Sequence, residues 1–178
     1  DTITVPDDYP TIQEAINAAD IGDTIYVRAG TYHEEVVVNK TVSLIGESRD
    51  NTLIIGNASV VHITAHNVQV SGFLIILGDE AGILIDSANN TTISHCSIAT
   101  NQVGIAIENS YYNTIINNRI DYNRLAGISL YLSHNNTIIN NDFQYNLAGI
   151  NLLAMTGPSH NNVIANNSIT FNWLGISC

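Results

Sequence analysis

The chain has 178 residues, one domain's worth, of which 45% are apolar and only 12% charged, with a formal net charge of -11. Five Lys and Arg against sixteen Asp and Glu argue against nucleic acid and anionic membrane surfaces, and leave room for Ca²⁺ or other cations. No run of about 18 or more apolar residues occurs, so no segment reads as membrane-spanning.

Residues 1–23 read as an N-terminal cap with a short helix. Thr11-Ile12-Gln13-Glu14 has capping-box spacing, and Ile12, Ala15, Ile16 and Ala19 then recur at i, i+3, i+4 and i+7. Ile21-Gly22-Asp23 closes the helix. Asp1 reads as a processed N-terminus or as the boundary of a longer chain. Short β-type runs follow at 24–27, 35–38, 41–45, 51–55, 60–64 and 67–75, with Ser71-Gly72-Phe73 at the place that Ser94-His95-Cys96 takes one repeat later.

From residue 82 the chain repeats. Gly82, Gly104, Gly127, Gly149 and Gly175 each open a Gly-Ile step, at spacings of 22, 23, 22 and 26 residues, and an Asn-rich block recurs in phase. Such a period, with short strands and Asn-rich bends, predicts a parallel β-helix over 24–178, of six to seven coils and about 30 Å long. Period-two alternation then places four apolar rows inside: Ile83, Ile105, Ile128, Ile150 and Ile176; Ile85, Ile107, Leu130 and Leu152; Ile93, Ile115, Ile138 and Ile164; Ile98, Ile120, Phe143 and Ile169.

Two asparagine rows accompany them, Asn118, Asn141, Asn167 and Asn101, Asn123, Asn146, Asn172. Asn tolerates left-handed bends, and its amide can bond the Asn one coil away, so these residues are expected to bend the chain and to form ladders. Cys96 starts the first row and reads as a buried thiol. Asp121 is expected on the solvated outer face. The longest spacing holds an insertion at one corner, Met155 to His160.

Residues 4–47 resemble the N-terminal region of pectin-lyase-like right-handed β-helix proteins. The run AGTYHEEVVV within them is similar to one in pectin methylesterases. The later GI-x-L and NNTI-x-NN repeats resemble NosD-like periplasmic proteins and archaeal surface proteins. This resemblance implies an all-β fold, a right-handed parallel β-helix with an N-terminal capping α-helix. It carries no catalytic residue across, because the QD-containing and DFIFG-type segments of pectin methylesterases and the DPH-type motif of alginate epimerases do not occur here.

The expected role is a non-catalytic extracellular or cell-surface domain, periplasmic in a bacterium, that is structural, self-assembling or glycan-interacting. The alternative is a polysaccharide-active enzyme, or a fragment of one, working through Asp86 and Glu108. These occupy equivalent outward places in adjacent coils, and like charges so close call for a proton or a cation such as calcium, or form a solvated acidic face. No other cofactor is implied. His134 and His160 align across coils as a weak metal pair, or as turn packing. Tyr111, Tyr112 and Tyr131 are candidate glycan contacts. The column Tyr122, Tyr145, Phe171 reads as coil stacking or as a sugar platform. Sequons begin at Asn39, Asn57, Asn89, Asn90, Asn135 and Asn166 and are candidates for N-glycosylation. Gly175-Ile176-Ser177-Cys178 starts another coil. The chain is therefore expected either to continue in a longer protein or to dock head-to-tail on another copy, with Cys178 available for an intersubunit disulfide.

Overall fold

A computed structural model describes residues 1–153 and 158–178. The corner insertion at Met155, Thr156 and Gly157 lies outside the described residues.

The chain winds into a parallel β-solenoid with three sheets running along its length. The first sheet has eight strands: Thr2–Val5, Thr24–Val27, Ser43–Gly46, Gln69–Ser71, Thr92–Ser94, Thr114–Ile116, Thr137–Ile139 and Val163–Ala165. The second has seven: Gly30–His33, Thr52–Ile55, Leu74–Ile76, Ser97–Ala99, Arg119–Asp121, Asp142–Gln144 and Ser168–Thr170. The third also has seven: Val36–Val38, Ser59–Ile63, Ala81–Asp86, Val103–Glu108, Ala126–Tyr131, Ala148–Leu153 and Leu174–Ser177. The eight-stranded sheet corrects the expected six to seven coils. Thr2–Val5 is itself a strand, paired in register from Thr2↔Thr24 to Val5↔Val27, and adds a turn that the sequence left inside the cap.

The helix spans Ile12–Ala18, one residue short of the periodic stretch. Its Thr11 cap accepts a hydrogen bond from the Glu14 N–H at 3.2 Å. The other early donors go to a distant residue: the Glu34 carboxylate accepts from the N–H groups of Ile12 and Gln13, both at 3.0 Å. Ile12, Ala15 and Ile16 are buried against the first coil, which ties the cap to the solenoid.

The predicted inner rows pair in register: Ile83↔Ile105, Ile105↔Ile128, Ile128↔Ile150 and Ile150↔Ile176. Ile93, Ile115 and Ile138, and Ile98, Ile120 and Phe143, are fully buried. Strands buried inward at every second residue carry an apolar side chain, most often Ile, at each level, so one coil's core is completed by the next. No helix among the described residues is long and apolar enough to cross a membrane.

Both asparagine rows form ladders. The Asn118 N–H and Nδ2 donate to Asn141 Oδ1 at 2.9 and 3.0 Å, and Asn141 donates likewise to Asn167. Asn101, Asn123, Asn146 and Asn172 repeat the pattern. A third ladder, Asn113, Asn136 and Asn162, stands at another bend, with Ser110, Ser133 and Ser159 beside it. The bending role needs correction. The left-handed residue is the one before each ladder Asn: Asn117, Asn140 and Asn166 at one bend, and Thr100, Tyr122, Tyr145 and Phe171 at the other. The ladder asparagines themselves turn their amides inward, where polar groups need partners.

Candidate functional site

Asp86 and Glu108 end neighbouring strands of the third sheet and are direct register partners, both half-buried on its outer face. The Ser87 hydroxyl donates to Asp86 Oδ1 at 3.0 Å. His62 Nε2 stands 3.6 Å from Asp86 Oδ2, too long for a hydrogen bond. Tyr131 continues the row after Glu108. Beside the pair lies an open groove of about 430 Å³, lined in part by Glu80, Leu84, Gln102 and Glu108. Glu80 accepts from the Ser59 hydroxyl at 3.2 Å. The structure thus brings the predicted carboxylates together and adds a histidine, His62, that spacing alone did not link to them. The signal for it is the two-residue diagonal between His62, opposite Leu84, and Asp86.

The predicted histidine pair forms a column at the corner that follows the third sheet. Tyr111 stacks on His134 at 5.5 Å between ring centroids, and His134 on His160 at 5.2 Å with planes 15° apart. His134 Nδ1 accepts from the His160 backbone N–H at 2.8 Å. His66 does the same for the Asn89 N–H, and Asn89 Oδ1 accepts from the Tyr111 N–H. These side chains therefore replace backbone partners at the bend, which requires their Nδ1 atoms to be unprotonated acceptors. Tyr112 is left-handed and largely exposed.

The second sheet carries an unexpected ion pair. Arg119 Nε donates to Asp121 Oδ2. Asp121 is 3% exposed, which overturns its placement on a solvated face. It does point outward, in register with Gln144, but Arg119 two residues earlier lies across it. Burial pushes its carboxyl above the usual value, and the Arg119 guanidinium pulls against that. Arg119, Asp142, Asn117, Asn140, Ser168 and Arg49 line a groove of about 530 Å³.

Among the sequons, Asn39, Asn57, Asn90 and Asn166 are exposed, while Asn89 and Asn135 are half-buried. Cys96 is buried, with its thiol pushed up to about 11 by desolvation, as a structural cysteine should be. Cys178 is exposed.

The family model for periplasmic copper-binding protein (NosD) matches residues 16–178. A cell surface glycoprotein of Methanothermus fervidus is 35% identical over 97 residues, which are 51% of this chain and 16% of that protein. A probable pectinesterase/pectinesterase inhibitor of Arabidopsis thaliana is 39% identical over 61 residues, 29% of this chain and 11% of that protein. The chain therefore spans less than a fifth of either relative. Among solved structures, a pectin methylesterase in complex with a hexasaccharide superposes with a TM-score of 0.68 at 15% identity, covering 77% of this chain and 51% of that one. An alginate lyase from Paenibacillus sp. also gives 0.68 at 15% identity, covering 93% and 75%. These likenesses share the fold. The match over residues 16–178, on a parallel β-solenoid, makes this chain a member of the periplasmic copper-binding protein (NosD) family, a β-helix protein of the cell surface or periplasm.

Proposed function

We propose that this chain is a non-catalytic β-helix scaffold outside the cytoplasm, presenting its outer faces to glycans or to other chains. The carrying observation is where its polar chemistry goes. The buried asparagines and serines bond one another from coil to coil, so they hold the solenoid together and face no substrate. Outward-facing tyrosines, Tyr112 above all with 62% exposure, supply contact area for sugars.

A second reading, a polysaccharide-active domain, rests on Asp86 and Glu108 with His62 at 3.6 Å from Asp86. The polysaccharide-active names among the structural neighbours lend it support through fold alone.

Copper fits these residues poorly. Among the described residues no three His, Cys, Asp or Glu side chains close on one point. The aligned histidine pair, His134 and His160, is stacked with near-parallel rings 5.2 Å apart, whereas chelation of one ion at about 2.0 Å from each nitrogen needs the two to converge. No chemistry is therefore assigned to copper here.

A panel of pectate, methyl-esterified pectin and alginate, with and without Ca²⁺, tests the proposal. Unsaturated ends and released methanol are measured. No turnover is expected. Turnover lost together in Asp86→Ala and Glu108→Ala establishes the enzymatic reading instead.

A further inference from the structure

The groove of about 530 Å³ at the bend between the first and second sheets is lined only by Asn, Arg, Asp and Ser side chains. Two columns run along it, one residue per coil. Asn117, Asn140 and Asn166 hold the left-handed corner, and Arg119, Asp142 and Ser168 open the strands that follow. At the far end of the second sheet the corner residues Tyr122, Tyr145 and Phe171 stack ring on ring, 4.9 and 5.3 Å between centroids, so their flat faces are spent on each other. The side-chain amides of the corner asparagines make no hydrogen bond among the described residues. Arg49 enters the same groove from the link between Ser43–Gly46 and Thr52–Ile55, which runs through residues 47–51 where a later coil uses only Asn117 and Asn118. Arg28, Arg119 and Arg124 each have a carboxylate, and Lys40 has two backbone carbonyls. Arg49 alone among the five has neither hydrogen bond nor ion pair among the described residues. Arg119 spends only Nε on Asp121, and its side chain is 59% exposed.

We infer that this groove binds an acidic polysaccharide, laid along the bend parallel to the solenoid axis. The inference rests on the glycan reading above and gives it a face and a class of sugar. Charge selects the anion. The chain is net -11, yet here two guanidinium groups meet one lining carboxylate, Asp142, and one oxygen of that carboxylate already accepts from Gln144 Nε2 at 2.9 Å. A guanidinium with no partner offers a planar fork that matches a carboxylate or a sulfate. Donors select the sugar. Three free amides and the Ser168 hydroxyl suit a hydroxyl-rich ligand, and Asp142 disfavours a bare anion and favours one that carries hydroxyl donors. The repeat selects a polymer. Parallel pairing sets successive corner amides about 4.8 Å apart, so the same groups meet a chain at several of its units.

Titration calorimetry with oligogalacturonate and with sulfated dextran tests the inference. The methyl ester of the first, galacturonate monomer, inorganic phosphate and poly-glutamate are the comparisons. Binding by either acidic polymer, weakened by salt, supports it, and the tighter of the two identifies the acid. The methyl ester should bind about tenfold more weakly or worse. Arg49→Gln, in an exposed link, should lower affinity about tenfold. Arg124→Gln removes the same charge at another bend and should leave affinity within about twofold. Asn140→Gly keeps the left-handed corner, removes the amide and should weaken the polymer about threefold. Circular dichroism confirms that the variants fold. No binding by either polymer overturns the inference, as do equal binding of the methyl ester, indifference to Arg49→Gln or Asn140→Gly, and an equal loss in both arginine variants. Monomer or phosphate binding as tightly as polymer overturns it in favour of a single-anion site. Poly-glutamate binding as tightly overturns it in favour of an acidic protein partner. The non-catalytic reading fails by turnover that depends on Asp86 and Glu108, whereas this inference fails by lost binding, so the two failures are told apart.

Discussion

Asn141 Oδ1 accepts two hydrogen bonds from Asn118 in the preceding coil, one from the backbone N–H at 2.9 Å and one from Nδ2 at 3.0 Å. Both residues are 2% exposed. Asn141→Leu keeps the number of side-chain heavy atoms but leaves the Asn118 N–H without its partner and Asn118 Nδ2 with only the Ile93 carbonyl, and the replaced amide no longer donates to Asn167 or to the Ile115 carbonyl. The expected cost is about 1–3 kcal/mol, read from urea midpoints at constant slope. An unchanged midpoint removes the ladder from the account of stability.

Asp121 makes stability depend on pH in a direction opposite to most paired carboxylates. Its folded pKa lies above 3.8 because of burial, so the folded chain takes up a proton more readily than the unfolded one. Its contribution therefore improves as pH falls from above the raised pKa to below 3.8. Relative to Asp121→Asn, the native protein should gain stability on acidification through that window. Denaturant titrations of both proteins across the range check this; a stability of the native protein minus that of the variant which stays constant or falls on acidification contradicts it.

Glycines in the repeat differ in what they tolerate. A Cβ at Gly104 would stand 2.5 Å from the Gly127 carbonyl oxygen and 2.8 Å from Ile120 Cγ2, whereas one at Gly175 meets nothing within 4 Å. Gly104→Ala should cost about 1–3 kcal/mol or more through forced separation of two coils. Gly175→Ala should stay within about 0.5 kcal/mol. Thermal midpoints of the pair measure the contrast, and equal midpoints would show that the coils can slide apart freely.

Glu34 joins the helix to the coil beneath it. Glu34→Ala leaves the Ile12 and Gln13 N–H groups without their carboxylate and should lower stability by about 1–2 kcal/mol. Hydrogen exchange at those two amides should rise more than at Glu14, whose N–H keeps Thr11. Equal acceleration at all three would mean that the helix frays as a unit.

The inner rows were legible because identical residues recur at one spacing, and parallel pairing converts equal spacing into contact. Ile83 over Ile105 and Asp86 over Glu108 needed only that rule. Four things needed more. Asp121 alternates correctly outward, yet a neighbouring guanidinium covers it, and alternation carries no information about what lies on top. The left-handed residue sits before the ladder Asn, and at one bend it is Thr, Tyr or Phe, because stacking and a short turn override intrinsic preference. The Asn113 ladder was hidden by adjacent asparagines that share its block. His62 faced Asp86 only across a diagonal between coils, which a reading of equivalent positions passes over.

The amide ladders also have a grammar. Each coil offers its neighbour the same row of acceptors and receives the same row of donors, so any regular coil can follow any other. A complete coil is thus an interchangeable unit: one can be duplicated or excised without designing a new core. Length in such a protein changes in whole turns, and the span of the solenoid becomes a heritable quantity adjusted in increments of about 4.8 Å.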